Sequence, residues 1–333
     1  MLHRVFRGGP MQRREFITGS AAIFVCAASS GAGAARLWRI GHVFGGTPEA
    51  FAHFGTVQAL ADLGFVDGKN IRLLTRFATP NPKEMKEAIL GLLPDIDLLV
   101  VTGTIGGVAA KLAAPQIPVV FEAVGAPVEI GLVESLSHPG GNITGVTFEA
   151  ASETYGKRLQ ILKEMVPDLS RVAVLGAKGD ANVSFAMASI EKSAPSLKVS
   201  VTLIEINFAD DLMGAFEQIR RSQSEALIVV AGALTYPNSK TIAELSFTNG
   251  LPSCHCYREA VIAGGLVSLG PDLMALGRQG ARLISKIING ARPSEIPVEQ
   301  PTQYVLNINL KTAKALGITV PAPLLARADE VIE

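Results

Sequence analysis

Several short runs in this chain gather small, flexible and hydroxyl-bearing residues: Gly45-Gly46-Thr47, Thr102-Gly103-Thr104 and Ala177-Lys178-Gly179-Asp180, with further glycines at Gly125 and Gly232. Glycine lets a ligand approach the main chain closely. A helix that begins just after such a run presents unpaired N–H groups to a carboxylate. One helix terminus contributes roughly 0.3–1 kcal/mol, whereas a micromolar site needs about 8 kcal/mol. Several runs and an apolar surface must therefore act together. Phe44, Phe148, Tyr236 and Tyr257 stand at the ends of predicted strands. They supply either that apolar surface or packing inside and between lobes.

Catalytic chemistry finds little support. There is no phosphate-binding loop, no Gly-x-Ser-x-Gly elbow and no His-Glu-x-x-His pair. The run Thr102-Gly103-Thr104-Ile105-Gly106-Gly107 breaks the spacing of a dinucleotide-binding fingerprint, and His42, His53, His138 and His255 show no metal-ligand spacing. In Cys254-His255-Cys256 a strand would turn both sulfurs one way and the imidazole the other. That arrangement is poor for one metal or for a nucleophile–base pair, and a disulfide two residues apart would be strained. Free buried thiols are the preferred reading. No catalytic residue, cofactor or metal is expected, and an exported hydrolase or racemase is the enzymatic rival.

The elements that must position these runs alternate between strand and helix. Strands are expected over 37–43, 70–77, 97–102, 118–122 and 142–148, then over 171–176, 198–206, 226–231, 252–257 and 265–269. Leu98-Leu99-Val100-Val101 and Leu227-Ile228-Val229-Val230 are continuous apolar runs, as befits parallel strands covered on both faces. Thr47-Pro48-Glu49 and Asn81-Pro82 carry helix-start signals. Repeated βαβ units imply open parallel sheets, whose ligands sit at the carboxyl ends of strands near a switch point. Leu99-Val100-Val101 leads to Gly103 and then to Ile117-Pro118, as Ile228-Val229-Val230 leads to Gly232 and then to Leu251-Pro252. Either two similarly wound lobes or coincidence explains that echo.

With 333 residues the chain suits two medium domains, and with 48% hydrophobic residues it can bury large cores. Thirty basic residues balance thirty acidic ones, which speaks against a nucleic-acid binder. Residues 1–34 read as a removable export signal. Arg13-Arg14 with Phe16 resembles a twin-arginine signal, an apolar run follows, and Ala32-Gly33-Ala34 suits cleavage. The run is too short for a membrane span. Cys26 lacks the preceding small residues of a lipid-attachment site, and Met1 or Met11 is the start.

Seven segments, in order, carry a resemblance. They are Arg14-Glu15-Phe16-Ile17; Gly64-Phe65-Val66-Asp67-Gly68-Lys69-Asn70; Ile117-Pro118-Val119-Val120-Phe121; Gly140-Gly141-Asn142-Ile143-Thr144-Gly145-Val146; Tyr257-Arg258-Glu259 with Gly264-Gly265-Leu266 and Gly270-Pro271-Asp272-Leu273; Pro297-Val298-Glu299-Gln300-Pro301-Thr302; and Asn309-Leu310-Lys311-Thr312-Ala313-Lys314-Ala315-Leu316-Gly317. Together they resemble the TrpX-like substrate-binding proteins of ABC transporters. The resemblance implies an α/β fold of two doubly wound parallel-sheet lobes joined by three crossovers, the type I periplasmic-binding arrangement. It implies a small-molecule ligand, with an ABC permease and its ATPase as partners.

By that resemblance Gly45, Gly46, Thr47, Thr102, Gly103, Thr104 and Gly125 face the cleft from one lobe. Asn182, Gly232, Tyr257 and Asp272 face it from the other. Better-known relatives resemble receptors for aromatic amino acids. Thr47, Thr102 and Thr104 then suit a carboxylate, and Asp272 either pairs an ammonium group or caps the helix after Pro271. Many relatives carry an Asn-Pro turn where Ala177-Lys178-Gly179 stands here. Lys178 therefore either meets an anionic group or is a solvated loop charge.

The expected architecture is an export signal over 1–34, lobe 1 over 37–147 plus 270–300, and lobe 2 over 148–269 plus 301–333. Hinges fall near 147–148, 269–270 and 299–301. The expected function is that of a monomeric periplasmic solute-binding protein of an ABC importer, closing on an amino acid or small carboxylate, the ligand being aromatic on the strength of the resemblance. A sensory binding protein that reports its ligand to a membrane receptor is the alternative.

Overall fold

The computed structural model describes residues 37–52, 54–149 and 153–333. The expected export segment with Cys26 and Met11, and also His53, lie outside the described residues.

The apolar runs form the central strands of two sheets. In the first half, β1 (Trp38–Gly45), α1 (Pro48–Ala52), α2 (Thr56–Asp62), β2 (Ile71–Ala78), α3 (Pro82–Leu92), β3 (Leu98–Thr102), α4 (Gly103–Ala113), β4 (Val119–Val124) and β5 (Ile143–Thr147) build a five-stranded sheet in the order β2-β1-β3-β4-β5. All its neighbours run parallel. Every residue of β3 is buried, because helices cover both faces. Full burial of each Val or Leu there contributes about 1.5–3 kcal/mol.

The second half repeats the winding. It runs through α5 (Thr154–Met165), β6 (Arg171–Ala177), α6 (Ala181–Leu197), β7 (Ser200–Ile206), α7 (Leu212–Arg221), β8 (Ala226–Val229), α8 (Ser239–Thr248), β9 (Ser253–His255), α9 (Arg258–Ile262) and β10 (Val267–Pro271). After α10 (Leu273–Ile288) come β11 (Tyr304–Asn309), α11 (Leu310–Ala315), α12 (Ala322–Leu325) and β12 (Glu330–Ile332). The sheet order is β12-β11-β10-β9-β8-β6-β7. Read from its β7 edge, its first five strands follow the same pattern as the first sheet, so Gly103 after β3 and Gly232 after β8 are topological equivalents.

Both sheets are parallel as expected, with one exception at an edge of the second. β11 runs antiparallel to β10, and β12 then pairs parallel to β11. Antiparallel entry follows from the route of the chain, which returns from the first sheet and meets β10 from its carboxyl end. The expected strand over 198–206 also starts too early. Lys198 is the left-handed residue that ends α6, with φ 56°, and the strand begins at Ser200.

The chain passes between the sheets three times. It leaves the first after β5 and re-enters it after β10. There α10 packs against α2, β4 and β5, with Gly277 and Gly280 lying where a methyl group would strike the Phe54 carbonyl and the Glu122 carboxyl. The returning segment runs beside β5. Thr147 N donates to the Glu299 carbonyl at 2.9 Å and Glu299 N to the Gly145 carbonyl at 2.9 Å. No helix among the described residues is long and apolar enough to cross a membrane.

Candidate ligand-binding site

Because both sheets are doubly wound, their switch points lie between β1 and β3 and between β6 and β8. Loops from the carboxyl ends of these strands meet in one crevice. Its walls from the first sheet are Phe44, Gly45, Phe54, Thr102, Gly103, Thr104 and Ala123; from the second they are Asn182, Ala231, Gly232, Ala233, Tyr236 and Tyr257, with Phe148 at the crossing. None of these side chains is charged.

Ring faces and edges line much of the wall. Phe44 meets Phe54 at a centroid distance of 5.6 Å, Phe54 meets Tyr236 at 6.2 Å, Tyr236 meets Tyr257 at 4.5 Å and Tyr257 meets Phe148 at 5.4 Å. Offset and edge contacts of this kind contribute about 0.5–1.5 kcal/mol each beyond area burial. The rings therefore form a continuous belt across both halves. The halves already touch. Tyr236 Oη donates to the Ala50 carbonyl at 3.3 Å, and the bare Cα of Gly125 leaves room for the Asn182 side chain. Asn182 itself donates through Nδ2 to the Ala231 carbonyl at 3.1 Å.

The polar side of the crevice rests on a buried relay in the first half. Thr104 Oγ1 accepts from Gly125 N at 3.1 Å. Thr102 Oγ1 lies 3.1 Å from His42 Nε2, and the same nitrogen lies 3.9 Å from Glu122 Oε2. Thr56 Oγ1 lies 3.0 Å from both oxygens of Glu122. Burial alone holds the His42 imidazole neutral, with its pKa down at about 3. Burial also pushes the Glu122 carboxyl up to about 8, against the smaller opposing pull of Thr56. Just beyond Glu122, Ala123 sits in the left-handed region at φ 56°, where β4 slips register against β5.

Of the residues singled out from sequence, Phe44, Gly45, Thr102, Gly103, Thr104, Phe148, Asn182, Gly232, Tyr236 and Tyr257 line the crevice. The others stand elsewhere. Thr47 is exposed, and its Oγ1 accepts from Ala50 N at 3.3 Å as a helix cap. Gly46 adjoins it, and Gly125 is behind Asn182. Lys178 is exposed on the loop after β6. Asp272 caps α10, its Oδ1 accepting from Ala275 N at 2.8 Å. It faces a separate groove of about 600 Å³ that also holds Arg258, Glu259, Asp329 and Glu330. Sequence reasoning passed over Phe54, Ala123, Ala231 and Ala233. Phe54 sits between α1 and α2, away from any strand end, so no signal marked it.

The cysteines take no part. Cys254 and Cys256 are free and buried, and burial pushes their thiols up to about 12 and about 11. His255, lowered by burial to about 4, lies with Nε2 2.9 Å from Ser253 Oγ. No cluster of three or more His, Cys, Asp or Glu among the described residues is placed to hold a metal ion.

Comparison with known proteins identifies the family and the fold. The chain is 26% identical over 265 residues to a tyrosine-binding protein of Clostridioides difficile (strain R20291), which spans 79% of this chain and 76% of that protein. Its fold matches a conserved domain protein of Vibrio cholerae O1 biovar El Tor at a TM-score of 0.84 and 24% identity, covering 89% of this chain and 100% of that one. It also matches an ABC domain from Streptococcus pneumoniae solved in complex with L-Trp at 0.83 and 22%, with the same coverages. The architecture is that of the type I periplasmic-binding proteins. The family model described as ABC transporter substrate binding protein matches residues 50–332, and the chain belongs to that family.

Proposed function

We propose that this chain is an exported receptor that captures an aromatic amino acid between its two halves and presents it to an ABC permease and its ATPase. The observation that carries the reading is the belt of Phe44, Phe54, Phe148, Tyr236 and Tyr257 around a crevice whose described lining residues carry no charge. An aromatic side chain gains offset-stacking and edge contacts there, while Thr102 and Gly103, at the start of α4, face the same space with hydroxyl and main-chain donors. The tyrosine-binding and L-Trp-bound relatives support the ligand class.

On this reading the chain turns nothing over. Lobe 1, residues 37–147 with 270–300, rocks against lobe 2, residues 148–269 with 301–333, about hinges near 147–148, 269–270 and 299–301. Export places the receptor in the periplasm. The test is a thermal-shift and calorimetric titration with L-tyrosine and L-tryptophan, with L-leucine and 3,4-dihydroxybenzoate as comparators. A ligand at a hundredfold excess over its Kd stabilises by about 2.7 kcal/mol. If neither aromatic amino acid shifts the melting point, the reading is wrong.

A further inference from the structure

An amino acid brings a cationic nitrogen, and a crevice with no charge among its described lining residues leaves that nitrogen to be met from just behind the wall. Asp272 is turned to another groove, and its Oδ1 caps α10 by accepting from Ala275 N. One acid is placed differently. Asp180 precedes α6, and only its Oδ1 is occupied, accepting from Asn182 N at 2.9 Å. No hydrogen bond reaches its Oδ2 from the described residues.

That oxygen stands over Gly232, where a methyl group would lie 2.7 Å from it. Gly232 is a wall residue of the crevice, flanked by Ala231 and Ala233. Burial raises the Tyr257 hydroxyl well above its usual range, and the charge of nearby Asp180 adds to that. Asn182, held through its main chain by Asp180, is itself in the wall. The carboxylate also borders an outer groove with Ser184 and Glu205, so it stands at the partition between solvent and the crevice. Gly232, by lacking a side chain, leaves the partition open. A cationic nitrogen in the crevice beside Tyr236 and Tyr257 would find the ring faces on one side and Asp180 Oδ2 on the other.

We infer that Asp180, acting past Gly232, is the anionic anchor of the crevice and selects ligands that carry a cationic nitrogen. This rests on the amino-acid reading above. Burial, which raises the Asp180 carboxyl above its usual range against the lowering bond from Asn182 N, is relieved when a cation pairs with it.

The test compares Asp180→Asn with the wild-type protein, since Asn caps a helix as well as Asp does and an unchanged melting temperature of the free protein certifies the fold. Calorimetry uses L-tyrosine and L-tryptophan beside their deaminated counterparts, 3-(4-hydroxyphenyl)propanoate and 3-indolepropionate. The expected result is at least a tenfold loss for the amino acids and a change under twofold, or a gain, for the deaminated acids. Equal affinity of wild type and Asp180→Asn for the amino acids overturns the inference and leaves the proposed function standing. The same selective loss in Asp272→Asn instead would assign the nitrogen to that acid and also overturn it. A wild-type protein that takes no amine-bearing ligand removes the proposed function and this inference together.

Discussion

Arg158 and Glu149 form an ion pair at 2.8 Å from which water is shut out, the two side chains being 0% and 3% exposed. The pair lies where the three crossings converge. Glu149 belongs to the first crossing, and Arg158 Nε donates to the carbonyl of Leu269, at the second, at 2.8 Å. Tyr304, beyond the third, places its hydroxyl 3.3 Å from Glu149 Oε2 and 3.4 Å from the Phe148 carbonyl. The guanidinium also lies 4.2 Å over the Tyr155 ring, whose hydroxyl accepts from Ala231 N in the crevice wall at 2.9 Å. Arg158 and Tyr155 thus join the crossings to the crevice wall.

Removing one partner of such a pair strands the other without solvent. Arg158→Met is therefore expected to lower stability by about 3–5 kcal/mol, read by urea unfolding. Arg158→Lys should recover little, because a single ammonium cannot serve both Leu269 and Glu149. A loss below about 1 kcal/mol for Arg158→Met would show that the pair is not held as described.

The relay under Thr102 sets a pH profile. Glu122 titrates at about 8 when folded against 4.5 as its ordinary value. The unfolded chain therefore releases this proton first, and stability falls as pH rises from 4.5 to 8. His42 titrates at about 3 against 6.5, so the unfolded chain takes up that proton first and stability falls as pH drops from 6.5 to 3. Between 4.5 and 6.5 the two slopes oppose one another, each about 1.4 kcal/mol per pH unit. Buried His255, lowered from 6.5 to about 4, adds its own acid loss below 6.5, so the expected curve peaks near pH 6.5 and falls on both sides. Glu122→Gln should abolish the alkaline loss and leave the acid one. Melting temperatures across pH 3–9 check this, and a wild type whose stability climbs from 6.5 to 8 would contradict it.

How far these features could be read beforehand follows from their physics. The apolar runs 98–101 and 227–230 marked the central strands, since full burial on two faces leaves no polar alternation to confuse. Gly45 at the end of β1, Thr102, Gly103 and Thr104 around the end of β3, and Gly232 after β8 marked one edge of the crevice, because strand ends are fixed by local pattern. Strand β11 was passed over although Leu306 and Ile308 alternate with Asn307 and Asn309. Its buried asparagines break the apolar pattern that marks a strand, and Asn307 finds its partner, Ser268, only in the folded sheet, at 2.9 Å. Asp272 and Asp180 are both acids at helix starts. Nothing local separates them; the packing of α10 onto the first sheet turns one away from the crevice, and the missing side chain at Gly232 opens the other towards it. Phe54 owes its place to the meeting of the halves, which no short window of sequence encodes.

Tyr236 bridges those halves through its hydroxyl. Tyr236→Phe keeps the ring contacts with Phe54 and Tyr257 and deletes the bond to the Ala50 carbonyl. A neutral hydrogen bond contributes about 0.5–1.5 kcal/mol net, so affinity for L-tyrosine should fall roughly threefold to tenfold. Tyr236→Ala also removes the ring and should lose substantially more. Calorimetry reads both. If Tyr236→Phe binds as wild type while Tyr236→Ala does not, the ring alone matters and the bond across the halves contributes nothing.

Gly125 offers a way to separate closure from folding. It follows β4 in the first half, and a methyl group on it would overlap the Asn182 side chain of the second half. Its main-chain N–H goes to Thr104 within its own half, so Gly125→Val leaves the packing of each half intact and obstructs only their approach. Ligand affinity is then expected to fall by more than tenfold, the free protein's melting temperature by a few degrees at most, and the radius of gyration to stay at its ligand-free value when L-tyrosine is added. Small-angle scattering of wild type and variant, with and without L-tyrosine, makes the comparison. A variant that contracts on ligand addition as the wild type does would mean that Asn182 swings aside, and that contact between Gly125 and Asn182 does not limit how far the halves close.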